Sequence, residues 1–355
     1  MSLTSATLRR RLLALLSVSA LTVLAACGSD NSSEPASSSS SAALDPKATI
    51  VLYNAQHDEV AKAWVDAFTA KTGVKVEIRQ GSDLTMANQL VAEGSSSPAD
   101  VFLTENSPGM SLVENAGLLA PIDRTTLDQV PSDYAPSTGQ WVGIAARSTV
   151  LAYNPAKITE AELPKSIMDL QDPAWKNRYG AAPTGADFQA IVSAMLELKG
   201  EDATATWLKA LKANGQAFTG NTAAMKAVNA GTVPTAVIYH YYWYGDQAKT
   251  KESSKNVQLH FFGNQDPGAF VSLSGGGVLK SSKHPVEAQA LVKFITSKEG
   301  QEILAKGTSF EYSVGKDVAS NPALKPLAQL DAPTVDASKL NSQKVVDLMT
   351  AAGLI

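Results

Sequence analysis

The chain has 355 residues and a single cysteine, Cys27, which excludes an internal disulfide and any thiolate metal centre. Charge is sparse. Charged residues make up 18%, and 30 Lys and Arg against 34 Asp and Glu leave a net charge of −4, so nothing here favours a nucleic acid. Histidine occurs four times, as His57, His240, His260 and His284. The patterns G-x-S-x-G and H-E-x-x-H are missing, as are the Walker and Rossmann glycine motifs, so no enzyme signature is present. Gly275-Gly276-Gly277 lacks the spacing of a phosphate loop and reads as close backbone packing. The apolar run at 12–24 has 13 residues, too short for a stable membrane span.

What is present begins with that run. Arg9, Arg10 and Arg11 precede it, Ala25 and Ala26 lead into Cys27, and Gly28 follows. The arrangement resembles a bacterial lipoprotein signal: residues 1–26 are expected to be removed and Cys27 lipidated, giving a protein held at the membrane from the extracytoplasmic side. Each buried acyl CH₂ contributes about 0.8 kcal/mol, so several chains anchor firmly. Losing three arginines and no acid takes the net charge from −4 to −7. The stretch GSDNSSEPASSSSSAA at 28–43 has no aromatic or large aliphatic residue and reads, within a segment over 27–47, as a tether.

From residue 48 onward the pattern alternates strand and helix, which predicts an α/β architecture with largely parallel sheet. TIVLY at 49–53 reads as a buried strand. Val60, Trp64 and Phe68 mark one face of a helix that Gly73 stops. Val74, Val76 and Ile78 alternate as a second strand, Asp83 is placed to cap a helix carrying Met86, Leu90 and Val91, and ADVFL at 99–103 reads as a third strand. Further strands are expected at 150–153, 235–238, 271–273 and 278–279. Helices are expected around 190–198, 204–211, 223–230, 285–296 and 345–352. With 44% hydrophobic residues and this length, two lobes are expected.

Open α/β sheets bind ligands beyond the carboxyl ends of their strands. There the sequence places Asn54-Ala55-Gln56-His57, Thr104-Glu105-Asn106 and the run Tyr239-His240-Tyr241-Tyr242-Trp243-Tyr244. Singly, each reads plainly: a helix-capping imidazole, a carboxylate complementing a helix dipole, an aromatic core or sugar platform. Together they form an oxygen and nitrogen donor set suited to a hard, highly charged cation. Adjacent helical residues point roughly 100° apart, so Tyr241 and Tyr242 can converge only at a helix start or irregular turn.

The motifs YNAQH at 53–57, PADVFLTEN at 98–106, VPTAVIYHYYWY at 233–244 and QDPGA at 265–269 make residues 48–355 similar to the periplasmic ferric-ion-binding proteins of bacterial ABC transporters. The resemblance implies a type II periplasmic-binding-protein fold: two α/β lobes, joined by two crossover strands near 149–153 and 271–275, that close over the ligand. The first lobe would hold 48–148 and 274–322, the second 149–273 and 323–355. The resemblance further implies Fe(III) as transported ligand, bound by His57, Glu105, Tyr241 and Tyr242. Phosphate or carbonate would be the synergistic anion, contacted by Asn106, Thr184, Gly185, Ala186 and Asn221. Thr184 stands where phosphate-using relatives have serine, and Tyr239 where they have asparagine, which leaves the anion open. Implied partners are a permease with its ATPase and, through the lipid anchor, the membrane; the protein itself would be a monomer. The competing reading keeps the fold and exchanges iron for a sugar, a polyamine or another small organic solute.

Overall fold

The computed structural model describes residues 43–355; Cys27, the signal segment and the tether before residue 43 lie outside the described residues. The first ladder grows from strand β1 (Thr49–Asn54), whose interior residues Ile50 and Leu52 are buried. Helix α1 (Asp58–Thr72) follows and buries Val60, Trp64 and Phe68 as their spacing predicts. It ends where Gly73 turns left-handed at φ 80°, a conformation glycine adopts without a Cβ penalty. Strand β2 (Lys75–Gln80) pairs parallel with β1, and β3 (Val101–Leu103) pairs parallel with its other edge.

Between them lies α2 (Asp83–Glu93). Its N-cap is Ser82, not Asp83, whose carboxylate is spent elsewhere; Met86 and Leu90 are buried, while Val91 is exposed. Helix α3 (Ser107–Asn115), strand β4 (Leu119–Ala120) and the single turn α4 (Arg124–Leu127) complete this region.

The strand expected at 150–153 is longer than its pattern suggested. β5 runs from Trp141 to Tyr153 and is buried throughout. Gly143, Arg147 and Ser148 break its apolar run in sequence, which hid the first nine residues. The segment from Trp141 to Ser148 pairs antiparallel with β10 (Val271–Leu279), and the last five residues pair with β8 (Thr235–Tyr239), so one strand serves two ladders. The two short strands expected around the triple glycine are the single strand β10. A Cβ on Gly276 would stand 2.9 Å from Ile144 Cγ2 and 3.3 Å from Leu103 Cδ2, so the close packing read from the sequence is present.

The remaining elements follow the α/β alternation: β6 (Tyr179–Ala181), α5 (Ala186–Lys199), α6 (Glu201–Asn214), β7 (Gln216–Ala217), α7 (Asn221–Asn229) and, after β8, α8 (His240–Lys249). β9 (Gln258–His260) lies on β5. After β10 come α9 (Pro285–Thr296), α10 (Lys298–Lys306) and α11 (Ser342–Ala351). Strand order along the main path is β2-β1-β3-β10-β5-β8-β6-β7, an open sheet system with β4 on β10 and β9 on β5 as branches. No helix among the described residues is long and apolar enough to cross a membrane.

Candidate metal site

The site is assembled at the carboxyl ends of β1, β3 and β8, the edge at which open α/β sheets bind ligands. After β1, the Asn54 side chain accepts the Gln56 N–H at 3.2 Å and donates to the Gln56 carbonyl at 2.7 Å, folding the chain back on itself. His57 then occupies the N-cap position of α1 without making a side-chain cap, which leaves its imidazole free. Its Nε2 lies 2.9 Å from Glu105 Oε1.

Glu105 is held by its own backbone. Its N–H donates to Asp83 Oδ1 at 2.7 Å and the next N–H, of Asn106, donates to Asp83 Oδ2 at 3.1 Å. This is where the carboxylate expected to cap α2 is used. Burial and the field of Glu105 push the Asp83 carboxyl up to about 8.

β8 delivers the phenols. It ends at Tyr239, and α8 starts at His240, so Tyr241 and Tyr242 lie in a first helical turn, the junction their convergence requires. Their rings stack with centroids 4.3 Å apart, and both hydroxyls donate to one atom, Asp187 Oδ2, each at 3.1 Å. The His57 ring meets the Tyr241 ring edge-on at 5.2 Å. All four expected ligands therefore come together.

Asp187 is the residue the sequence reading missed. It is buried in the first turn of α5, where a helix N-terminus favours an anion. Its carboxylate also accepts from Asn106 Nδ2 at 3.0 Å and Asn221 Nδ2 at 2.8 Å. Two of the residues expected to hold an external anion thus hold this internal one. The backbone donors expected alongside them are differently disposed: Gly185 gives its N–H to the Ala182 carbonyl at 3.0 Å, Ala186 opens α5, and Thr184 is exposed. An aspartate directly after Thr184-Gly185-Ala186 was the available signal.

Burial and the Asp187 charge push both phenols above their ordinary range, which favours their protonated forms. For His57, burial disfavours the imidazolium, but Glu105 and Glu311 outweigh it and the pKa is raised. For Glu105, burial is overcome by the Arg147 charge and His57, and the pKa is lowered. Among the described residues no three His, Cys, Asp or Glu side chains group as a metal site by themselves. A metal here depends on the phenols. Tyr239 is not among the converging groups: its hydroxyl is buried without a hydrogen-bond partner, 6.3 Å from Tyr241 between ring centroids. A cavity of about 320 Å³ opens beside the cluster, lined by His57, Tyr241, Tyr242, Thr308 and Ser309 among others.

Residues 96–341 match the family model described as "Bacterial extracellular solute-binding protein". The chain belongs to that family. This solute-binding protein is 63% identical over 306 residues to the Fe(3+)-binding periplasmic protein of Serratia marcescens, covering 86% of this chain and 90% of that one. It is 38% identical to the major ferric iron-binding protein of Neisseria meningitidis serogroup B, with 88% and 95% covered. Among solved structures, iron-bound HitA from Pseudomonas aeruginosa superposes with a TM-score of 0.80 at 47% identity, covering 86% of this chain and all of that one. The α/β fold expected from the sequence is the fold of these solute-binding proteins, and they are binding proteins, not enzymes.

Proposed function

We propose that this extracytoplasmic solute-binding protein captures Fe(III) for import. His57, Glu105, Tyr241 and Tyr242 are its ligands, and Asp187 takes the place expected of a synergistic anion. One observation carries the reading: two consecutive phenols share a single carboxylate oxygen while the imidazole and the second carboxylate close against them. That oxygen accepts hydrogen bonds whose protons stay on the two phenols. Ferric ion displaces those protons, and the freed carboxylate, both phenolates, Glu105 and the imidazole offer one nitrogen and hard oxygen donors. Phosphate or carbonate could enter only by competing with Asp187 for Asn106 and Asn221.

The expected lobes, 48–148 with 274–322 and 149–273 with 323–355, would each contribute ligands, so the ion favours the closed arrangement. A permease with its ATPase would receive the loaded protein, which acts as a monomer tethered through lipidated Cys27. Ferric phenolate absorbs visible light, which supplies the test. Adding Fe(III) to purified protein is expected to produce a coloured complex, and Tyr241→Phe with Tyr242→Phe to abolish it. A colourless wild type that gives binding heat with a sugar or polyamine would replace iron with an organic solute.

A further inference from the structure

Arg147 is a fully buried cation on β5, one residue before the strand passes from β10 to β8. A buried arginine needs a carboxylate to balance its charge, and Glu311, also fully buried, supplies it through a bond from Nη2. The other contacts are what distinguish it. Nη1 donates to the backbone carbonyl of Glu105, and Nη2 to Gln56 Oε1 at 3.1 Å. That same Gln56 oxygen accepts the N–H of His57 at 2.7 Å. The guanidinium carbon lies 5.5 Å from the centre of the Tyr241 ring. Ser274 completes the brace, donating to the Glu105 carbonyl at 3.1 Å and receiving Gln56 Nε2 at 3.0 Å.

We propose that Arg147 is the positioning residue of the site: its planar fork fixes the two loops that carry His57 and Glu105, and its charge lies against the ring of Tyr241. A bidentate, planar donor can hold two loops in one geometry where the point charge of a lysine cannot. A structural ion pair alone would not reach these loops. An apolar replacement of such a pair is often neutral for stability, so folding by itself does not call for this arrangement.

The inference rests on the ferric reading above. In a ferric phenolate the visible band moves electron density from ring to metal; a cation beside the ring holds those electrons more tightly and raises the transition energy. The test compares wild type, Arg147→Lys and the charge-matched pair Arg147→Met with Glu311→Gln, using Fe(III) alone as probe and apo thermal unfolding as the folding control. Loss of supporting contacts around a metal typically costs about 10–100-fold in affinity. Arg147→Lys is expected to lose about that much while keeping its band near the wild-type wavelength. The double variant is expected to lose as much and to shift its band to longer wavelength. Wild-type affinity in a folded Arg147→Lys, or in a folded double variant with an unmoved band, overturns the role of Arg147 and leaves the ferric reading standing. A colourless wild type overturns both.

Discussion

One residue carries most of what the site adds to its proposed ligands. Asp187 is a buried carboxylate with four hydrogen-bond donors around it, two amides and two phenols. Each donor is satisfied by an anion, and an anion built into the chain needs no recruiting from solution. Asp187→Asn removes the charge and keeps the shape. Without added phosphate or carbonate it is expected to bind Fe(III) at least about tenfold more weakly, the low end of what losing support around a metal costs. Titration monitored at the phenolate band checks this, and rescue of the variant by phosphate would show the amides accepting an external anion again. Unchanged affinity in anion-free buffer would remove Asp187 from the site. His240, between the phenols and β8, is a different case. Ser148 N–H donates to its Nδ1 at 3.1 Å and its Nε2 meets the Phe310 carbonyl at 2.9 Å, so the ring is neutral with its proton on Nε2. Burial drives its pKa down to about 3. The unfolded chain takes up this proton near pH 6.5, before the folded one does, so the contribution of His240 is intact above that pH and is lost as pH falls towards 3. The slope is about 1.4 kcal/mol per pH unit for one group. Denaturant unfolding of the apo protein at pH 7, 5.5 and 4 is expected to show that decline, and His240→Gln to flatten it.

At the scale of elements, strands β5 and β10 explain why local pattern gave some segments and concealed others. The first β-α-β-α-β stretch was most legible where an element buries one regular face: Val60, Trp64 and Phe68 recur at helical spacing and Gly73 stops the helix. β5 is buried on every side, so its residues answer to several neighbours at once and no period survives. Its Arg147 looks like an interruption in sequence and is a buried brace in three dimensions. Asp83 misled for a related reason. Its position fits a cap, but its carboxylate accepts the N–H groups of Glu105 and Asn106 in the loop after β3. The glycines of β10 test the packing directly. A side chain at Gly276 would run into Ile144 and Leu103, so Gly276→Val is expected to destabilise the protein by about 1–3 kcal/mol, the usual cost of overpacking. Chemical denaturation measures it; a change below about 0.5 kcal/mol would mean the strands separate more easily than their spacing indicates.

For the molecule as a whole, the question is how a binding site in water would stay near the proposed importer. Cys27 supplies the proposed answer, with the tether up to residue 47 between anchor and folded body. Cys27→Ser is expected to move the protein from the membrane fraction to the soluble fraction and to abolish incorporation of a labelled fatty acid, while Fe(III) binding by the purified protein is unchanged. Retention of the variant at the membrane would assign attachment to something other than the cysteine.

The sequence by itself determined the class of fold and placed the proposed donors His57, Glu105, Tyr241 and Tyr242 at strand ends and a helix start, because those are local features that hydrophobic pattern and motif spacing report. Only the tertiary structure decided what those donors meet. Asp187 lies 54 residues from Tyr241 and Arg147 lies 164 residues from Glu311. Neither partnership has a local signature. Each exists because folding brings charged groups into a low-dielectric interior, where a buried charge must find its partners or cost the fold its stability.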